Sequence, residues 1–198
     1  MDTSRRIERA AWALYSRHGE PGVSVRGVAR AVGLSAMALY RHYPNRDALL
    51  AALSASAFAV WEARVAAIRA RTARGWLAAV ADAYLAFALD DPPRFAACFE
   101  LPAAGVRRFP RDFAAGRSPA VARIAAEVQR GLDRGELAGA DALTIAMILW
   151  SQAHGLIKLY RDGRFDSAAA FRRTYRRCLR LVLGAFAPGG AGARRRLP

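Results

Sequence analysis

The sequence lacks the residues on which several classes of protein depend. It has only two cysteines and three histidines in 198 residues, and neither Cys98 nor Cys178 lies in a Cys-x-x-Cys or Cys/His cluster. We therefore expect neither a disulfide, a metal site nor a cofactor. His18, His42 and His154 lie in separate predicted helices without a partnered nucleophile, and the chain has no glycine-rich phosphate loop, which argues against an enzyme.

Long apolar runs and alternating strand patterns are also missing. No uninterrupted apolar run approaches the ~20 residues that span a membrane. The N-terminal residues lead into an amphipathic helix and not into the apolar core of a signal peptide. The sequence therefore predicts a cytoplasmic, all-α protein without a membrane partner, and its 54% of hydrophobic residues can form a sizeable core.

Positive charge is in excess, with 31 basic against 16 acidic residues and a net charge of +15. Residues 1–53 hold eight arginines and four acidic residues, so +4 of the excess lies there and +11 lies in the remainder. Lys158 is the only lysine, and arginine and alanine are abundant. This composition favours the interpretation that the positive charge reflects a compositional bias of the source genome. A basic surface still assists long-range association with DNA.

Two short helices joined by a glycine turn are predicted near the N-terminus. Ser24 is a good N-cap for a helix with apolar residues at helical spacing, and Gly33 can end that helix in the left-handed region. Ser35 is a second N-cap, for a helix of little more than two turns that runs to His42 before Pro44. This is the helix-turn-helix arrangement, whose second helix lies in the major groove of duplex DNA.

The residues of this segment resemble the TetR/AcrR family of bacterial one-component regulators. The resemblance is carried by Gly33-Leu34-Ser35, by Leu-Tyr-Arg-His-Tyr at residues 39–43 and by Asn-Arg-Asp-Ala-Leu-Leu at residues 45–50. It implies a three-helix DNA-binding head at residues 1–53, followed by a larger helical body for ligand binding and dimerisation at residues 54–187. Residues 188–198 have no apolar period and are predicted to be a disordered basic tail.

The resemblance and the chemistry of the side chains indicate which residues bind double-stranded operator DNA. Arg26 matches the family position from which a basic side chain reaches a base, and Tyr40 and Arg46 match positions that contact the DNA backbone. Arg41 is open between a base and a nearby phosphate, and His42 between DNA and a structural hydrogen bond. The predicted DNA-binding residues are Ser24, Val25, Arg26, Ser35, Ala36, Met37, Ala38, Tyr40, Arg41, His42 and Arg46.

Three residues of the recognition helix depart from the polar side chains that many relatives have there. Ala36, Met37 and Ala38 cannot make bidentate hydrogen bonds to a base. Base selection is therefore predicted to depend on Arg26, Arg41, methyl contacts to thymine and DNA shape.

The remainder of the chain is predicted to form helices rich in aromatic residues, with an irregular stretch at residues 102–119. In the family that the sequence resembles, the body encloses a pocket, which implies a small hydrophobic or aromatic effector. An aromatic stripe more often forms plain core, and His154 could instead be buried at a dimer interface. The candidate ligand-binding residues are Trp61, Trp76, Tyr84, Phe87, Phe95, Phe99, Met147, Trp150 and His154.

The last two predicted helices, at about residues 141–161 and 167–186, suit a homodimer. In the family they form a four-helix bundle across a twofold axis, although such faces could also close the core of a monomer. Trp150, His154 and Gly155 resemble the Trp-His-Gly signature of one C-terminal subgroup. Two heads that reach successive major grooves, ~34–36 Å apart, imply a palindromic operator.

The predicted function is transcriptional repression that a small hydrophobic ligand relieves by releasing the protein from its operator. Most members of the family act as repressors. One alternative is that this chain is a transcriptional activator of the same family. A nonspecific basic DNA-binding protein is a second alternative, because the charge and the basic tail favour phosphate contacts without base selection.

Overall fold

The structure, a computed structural model, describes residues 3–101, 108–116 and 118–189. Its helices are α1 (Thr3–His18), α2 (Val25–Ala31), α3 (Ala36–Tyr40), α4 (Arg46–Ala66), α5 (Ala73–Asp90), α6 (Pro92–Phe99), α7 (Arg111–Ala114), α8 (Pro119–Asp133), α9 (Ala142–Arg161) and α10 (Ala168–Ala185), with a 3-10 turn at Glu20–Gly22. No strand occurs in these described ranges, and the predicted all-α class is confirmed.

The helices form two compact units. The first contains the chain through Ala63 together with the segment that begins at Phe87, so it holds α1, α2, α3, most of α4 and α6. The second contains Arg64–Ala86 together with the described residues from 108 onward, so it holds most of α5 and the helices from α7 to α10.

The first unit contains the predicted helix-turn-helix. Helix α1 packs on α2 and α2 packs on α3, with Ile7, Val28 and Leu39 fully buried between them. Gly33 has a φ of +70°, the left-handed conformation that the turn was predicted to need. Because burial of apolar side chains holds the three helices together, the position of α3 is fixed from its inner side.

Side-chain caps begin the helices where the sequence predicts them. Ser24, Ser35, Asn45 and Asp141 each accept a hydrogen bond from the backbone N–H three residues later, at 3.0, 3.1, 2.8 and 3.0 Å. Such a bond satisfies one of the N–H groups that the first turn of a helix leaves without a partner. The N-caps predicted at Ser24 and Ser35 are confirmed, and Asn45 and Asp141 act in the same way.

Helix α6 belongs to the same compact unit as α1 although it comes much later in the chain. The guanidinium carbon of Arg94 lies 5.1 Å from the centre of the Trp12 ring, a cation–π contact between the two helices. Asp91 caps α6 and pairs with Arg94 at 2.6 Å. The first unit therefore includes a contribution that the predicted head at residues 1–53 leaves out.

The recognition helix is shorter than predicted, whereas the irregular stretch holds the short helix that was considered there. Helix α3 ends at Tyr40 and not at His42, because the His42 N–H bonds to the Leu39 carbonyl at 2.9 Å in a turn. In the irregular stretch, α7 forms a short helix at Arg111–Ala114. Residues 102–107 and 117 of that stretch, and 190–198 of the predicted disordered tail, lie outside the described residues.

In the second unit α9 packs against α8 and α10, and polar contacts join α5 to the later part of the chain. Tyr175 of α10 donates a hydrogen bond to the Ala81 carbonyl at 2.9 Å. Glu136 accepts a bond from the Ala73 N–H at 2.6 Å and so caps α5 from outside. Gly131 lies beside the same start of α5, where a Cβ atom would come within 2.7 Å of the Ala73 side chain.

Two helices, Arg46–Ala66 and Ala142–Arg161, are long and apolar enough to cross a membrane by length and composition alone. Polar residues such as Glu62 and Lys158 interrupt the apolar runs of these helices. Core helices of soluble proteins pass the same test of length and average hydropathy.

Candidate functional site

The short helix α3 presents one large side chain to solvent from its first turn. Met37 is 74% exposed, and Tyr40, one turn later on the same side, is 42% exposed. Leu39 points the other way and is fully buried, while Ala36 and Ala38 are half-buried. In the first turn of α3, Met37 is therefore the one long side chain on the outer face, and the alanines on either side of it are short.

Basic residues come both before and after α3 in the sequence. Arg26 is exposed on α2, and Arg41 and His42 are exposed in the turn that follows α3. The hydroxyls of Ser24 and Ser35 accept the capping bonds of α2 and α3, which leaves each O–H able to donate to a phosphate. The exposed predicted residues can thus contact both bases and backbone.

Val25 was predicted to bind DNA, but its side chain is buried, with 5% exposed. Its position directly after the cap of α2 turns the side chain into the core of the helix-turn-helix. A side-chain contact with DNA is therefore not available, and Val25 contributes to the site by packing.

Arg46 was predicted to contact the DNA backbone, but its guanidinium is bound within the protein. Nε donates to the Val23 carbonyl at 2.8 Å, Nη2 donates to the Glu20 carbonyl at 2.6 Å, and Nη1 pairs with the Glu20 carboxylate at 3.1 Å. These bonds show that Arg46 holds the 3-10 turn that leads into α2, and its contact with the DNA backbone stays a prediction.

Two further polar ties within the first unit were not predicted. Arg6 donates to the Val32 carbonyl at 2.8 Å, so α1 holds the last turn of α2. The Ser56 hydroxyl of α4 donates to Glu8 of α1 at 2.6 Å. Burial and the charge of Glu8 raise the pKa of Tyr43 nearby. Periodicity gives no signal for such ties, because their partners are distant in the sequence.

In the second unit, three of the predicted ligand-binding residues form one cluster. The Tyr84 hydroxyl and His154 Nδ1 are 2.9 Å apart, and the Trp150 Nε1–H points to the same hydroxyl at 3.4 Å. Tyr84 is 4% exposed, and the Phe113 ring lies 6.2 Å from that of Trp150. The cluster places hydrogen-bonding atoms among aromatic rings.

Four other predicted ligand-binding residues pack together in the first unit. Trp61 stacks on Phe87 at 5.9 Å, Phe99 lies 5.1 Å from Phe95, and Phe87 and Phe95 are 6.1 Å apart. Phe87 and Phe95 are fully buried. These contacts are those of an aromatic core. For these four residues they support core packing, and not a ligand pocket, as the interpretation of the aromatic stripe.

The remaining two predicted ligand-binding residues are Trp76, which is buried, and Met147, which is half-buried. Both lie in the second unit, as does the Tyr84–His154–Trp150 cluster. Of the nine predicted residues, four thus form an aromatic core in the first unit and five lie in the second unit, three of them in the polar, aromatic cluster.

Two family models match the chain. The model described as bacterial regulatory proteins, tetR family, matches residues 7–53, and the model described as tetracyclin repressor-like, C-terminal domain, matches residues 77–182. The second match alone spans more than half of the sequence. No curated protein matches the chain.

Solved structures have the same fold. A protein of unknown function from Rhodococcus sp. RHA1 is 26% identical, with a TM-score of 0.77 over 94% of this chain and 96% of that one. SCO4313, a proposed regulatory protein, is 30% identical, with a TM-score of 0.68 over 92% and 96%. SmeT in complex with triclosan is 20% identical, with a TM-score of 0.66 over 98% and 96%.

Proposed function

This chain belongs to the TetR family of bacterial regulatory proteins, and on that premise we propose that it represses transcription from a palindromic operator. It is a transcriptional regulator and not an enzyme. In this proposal a homodimer in the cytoplasm binds the operator, and a small hydrophobic or aromatic ligand releases it.

The observation that carries the proposal is the outer face of the helix-turn-helix. Arg26, Met37 and Arg41 are exposed around a helix whose inner side is fixed by the fully buried Leu39. A rigidly packed helix with exposed long side chains can enter the major groove in one register. Arginine supports selection of guanine, which a merely basic surface does not provide.

Exposed apolar residues on the last two helices support the homodimer. Ile148 and Leu159 of α9 are 39% and 47% exposed, and Leu181 of α10 is 65% exposed. Gly155 lies between Ile148 and Leu159 on α9. A Cβ atom added at Gly155, or at Gly184 on α10, would meet no other atom within 4 Å. An apolar stripe with glycines allows a second copy to approach closely.

The Tyr84–His154–Trp150 cluster supports a ligand that is mainly apolar and has one hydrogen-bonding group. Aromatic walls with a few convergent polar groups are the usual lining of a small-molecule site. Triclosan, which SmeT binds within the same fold, is of that chemical kind. A ligand relieves repression only if it binds the DNA-incompetent conformation more tightly than the DNA-bound one.

Selection of bound sequences from a random duplex pool tests the proposal directly. We expect a palindrome with two half-sites one helical turn apart. A palindrome placed across a promoter should then lower reporter expression, whereas increased expression would indicate an activator. Recovery of no preferred sequence, with a steep salt dependence, would indicate the nonspecific binder.

The ligand is tested separately by adding candidate compounds to the operator complex. We expect an apolar aromatic compound with one hydroxyl or carbonyl group to lower the operator affinity of the wild-type protein, which has both Tyr84 and His154. Tyr84→Phe should weaken this response, and Tyr160→Phe, which removes a hydroxyl in the same unit outside the cluster, serves as the control. A screen in which no compound altered operator affinity would contradict ligand release.

A further inference from the structure

We propose that Met37 reads the 5-methyl group of a thymine in the major groove, so that the operator is selected partly by an apolar contact. The inference rests on the proposed operator binding and adds which chemical group one residue recognises. It concerns Met37 alone, and not the two alanines beside it.

Exposure distinguishes Met37 from its neighbours. Single apolar residues are common on protein surfaces and need no special explanation. Met37, however, is 74% exposed on the outer face of a helix whose other first-turn side chains, Ala36 and Ala38, are short and half-buried. Only the methionine extends far enough from this turn to reach the edge of a base.

The neighbours of Met37 on the helix surface fix where its side chain goes. At 3.6 residues per turn, Tyr40 and Arg41 lie one turn later on either side of Met37. Tyr40 is 42% exposed, and Arg41, the C-cap residue of α3, keeps helical dihedral angles and is exposed. A phenol and a guanidinium can both bond to phosphate or base, so they orient the helix with Met37 between them.

The thioether then limits what Met37 can recognise. Methionine has no hydrogen-bond donor and only a weak acceptor, so it cannot select guanine, adenine or cytosine through their polar edges. Thymine is the base that offers an apolar group in the major groove, its 5-methyl. The unbranched, polarisable side chain has three rotatable bonds and adapts to such a contact.

Replacement of thymine by deoxyuridine removes only that methyl group. The full-length protein is first used to select an operator, and each thymine of the selected half-site is then replaced in turn while the affinity is measured. We expect a loss of about fourfold per half-site at one position, since a buried methyl is worth about 0.8 kcal/mol. Replacement in both half-sites should cost about 15-fold.

Variants then assign the effect to one residue. In Met37→Ala the operator with thymine should bind more weakly, and deoxyuridine at the sensitive position should cost nothing more. Met37→Leu keeps an apolar side chain of similar volume and should keep the sensitivity. Arg26→Ala is the control, because it should weaken binding while leaving the deoxyuridine effect unchanged. Met37 is exposed, so none of its variants should alter thermal unfolding.

A second substitution in the DNA separates the methyl group from the rest of thymine. At the sensitive position a cytosine–guanine pair should bind poorly, and 5-methylcytosine in its place should recover about fourfold for the wild-type protein. The same methylation should have no effect on Met37→Ala.

The outcomes distinguish the inference from the function on which it rests. If an operator is selected but deoxyuridine is tolerated at every thymine, the inference fails and operator binding stands. Persistent sensitivity in Met37→Ala also overturns it, because another residue then reads the methyl. If no operator is selected, the proposed function fails and the inference fails with it.

Discussion

Arg46 is bound to the main chain and the side chain of Glu20 at once. Its Nη2 donates to the Glu20 carbonyl at 2.6 Å, and its Nη1 pairs with the Glu20 carboxylate at 3.1 Å. A guanidinium has a fixed fork of donors, so one arginine can hold both groups only when the turn at Glu20–Gly22 has the observed shape. The position of this 3-10 turn determines where α2 begins.

Arg46→Ala is therefore expected to destabilise the protein. The free energy of unfolding in urea should fall by about 1–2 kcal/mol, because charged hydrogen bonds are lost at a half-exposed site. The slope of operator affinity against salt should not change, because the guanidinium is already engaged by Glu20 and the Val23 carbonyl. A slope lower by about one would instead place Arg46 on a phosphate. The exposed Arg41→Ala is the matched control and should unfold like wild type.

Arg26→Ala is expected to weaken operator binding by about 1–3 kcal/mol and to relax one position of each half-site. Arginine pairs with guanine through two hydrogen bonds, and alanine cannot replace them. Binding to a panel of operators with single changes measures both effects. Arg30→Ala, an exposed arginine later on the same helix, should lose affinity without relaxing a position. Unchanged affinity in Arg26→Ala would show that Arg26 does not contact a base.

Tyr84→Phe is expected to lower the free energy of unfolding by about 1 kcal/mol and to weaken effector binding. The change removes the hydroxyl that bonds to His154 at 2.9 Å within a buried site. Thermal unfolding and effector titration of the operator complex measure the two results. Tyr160→Phe keeps the ring that stacks on Phe171 and should change neither. Equal losses in both variants would argue against a special role for the cluster.

Leu181→Glu is expected to separate the subunits. A carboxylate in the centre of an apolar interface would lose its hydration without a partner, which costs several kcal/mol. Sedimentation should show a monomer, and operator affinity should fall because two half-sites are no longer bound together. Arg172→Glu lies on the opposite side of α10 and should leave the dimer intact. A Leu181→Glu protein that still sediments as a dimer would place the interface elsewhere.

Gly131→Ala is expected to lower the free energy of unfolding by about 1–3 kcal/mol. The added Cβ would lie 2.7 Å from both the Ala73 side chain and the Leu137 side chain, so the start of α5 must move. Gly75→Ala adds the same methyl in α5 itself, where the nearest atom is the Thr72 hydroxyl at 3.1 Å on a flexible side chain, and should destabilise the protein far less. Similar unfolding curves for the two variants would refute the close packing.

The sequence predicts the parts of this molecule that depend on neighbouring residues. Ser24, Ser35 and Gly33 act within one turn of their own positions, so their cap and turn chemistry is visible in the sequence. Burial of Val25 was also within reach of the sequence, because Val25, Val28 and Val32 recur at helical spacing and indicate one inward face.

Contacts between distant residues were beyond the reach of local patterns. Tyr84 and His154 are 70 residues apart, and Arg46 reaches carbonyls more than a dozen residues upstream. The family resemblance gives the residue type at position 46 and so could not show the bonds to Glu20 and Val23 that the fold supplies. The aromatic stripe likewise could not show that Trp61 and Phe87 pack on each other.

The place of α6 in the first compact unit limits how this regulator can be divided. A chimera that takes residues 1–53 and joins them to another sensor leaves Trp12 without its cation–π contact to Arg94 and omits the whole aromatic core of Trp61, Phe87 and Phe95. During synthesis the same unit cannot be completed until the ribosome has added α6, long after the DNA-reading residues have emerged. Transfer of operator specificity to another regulator would therefore require exchange of two separate stretches of chain.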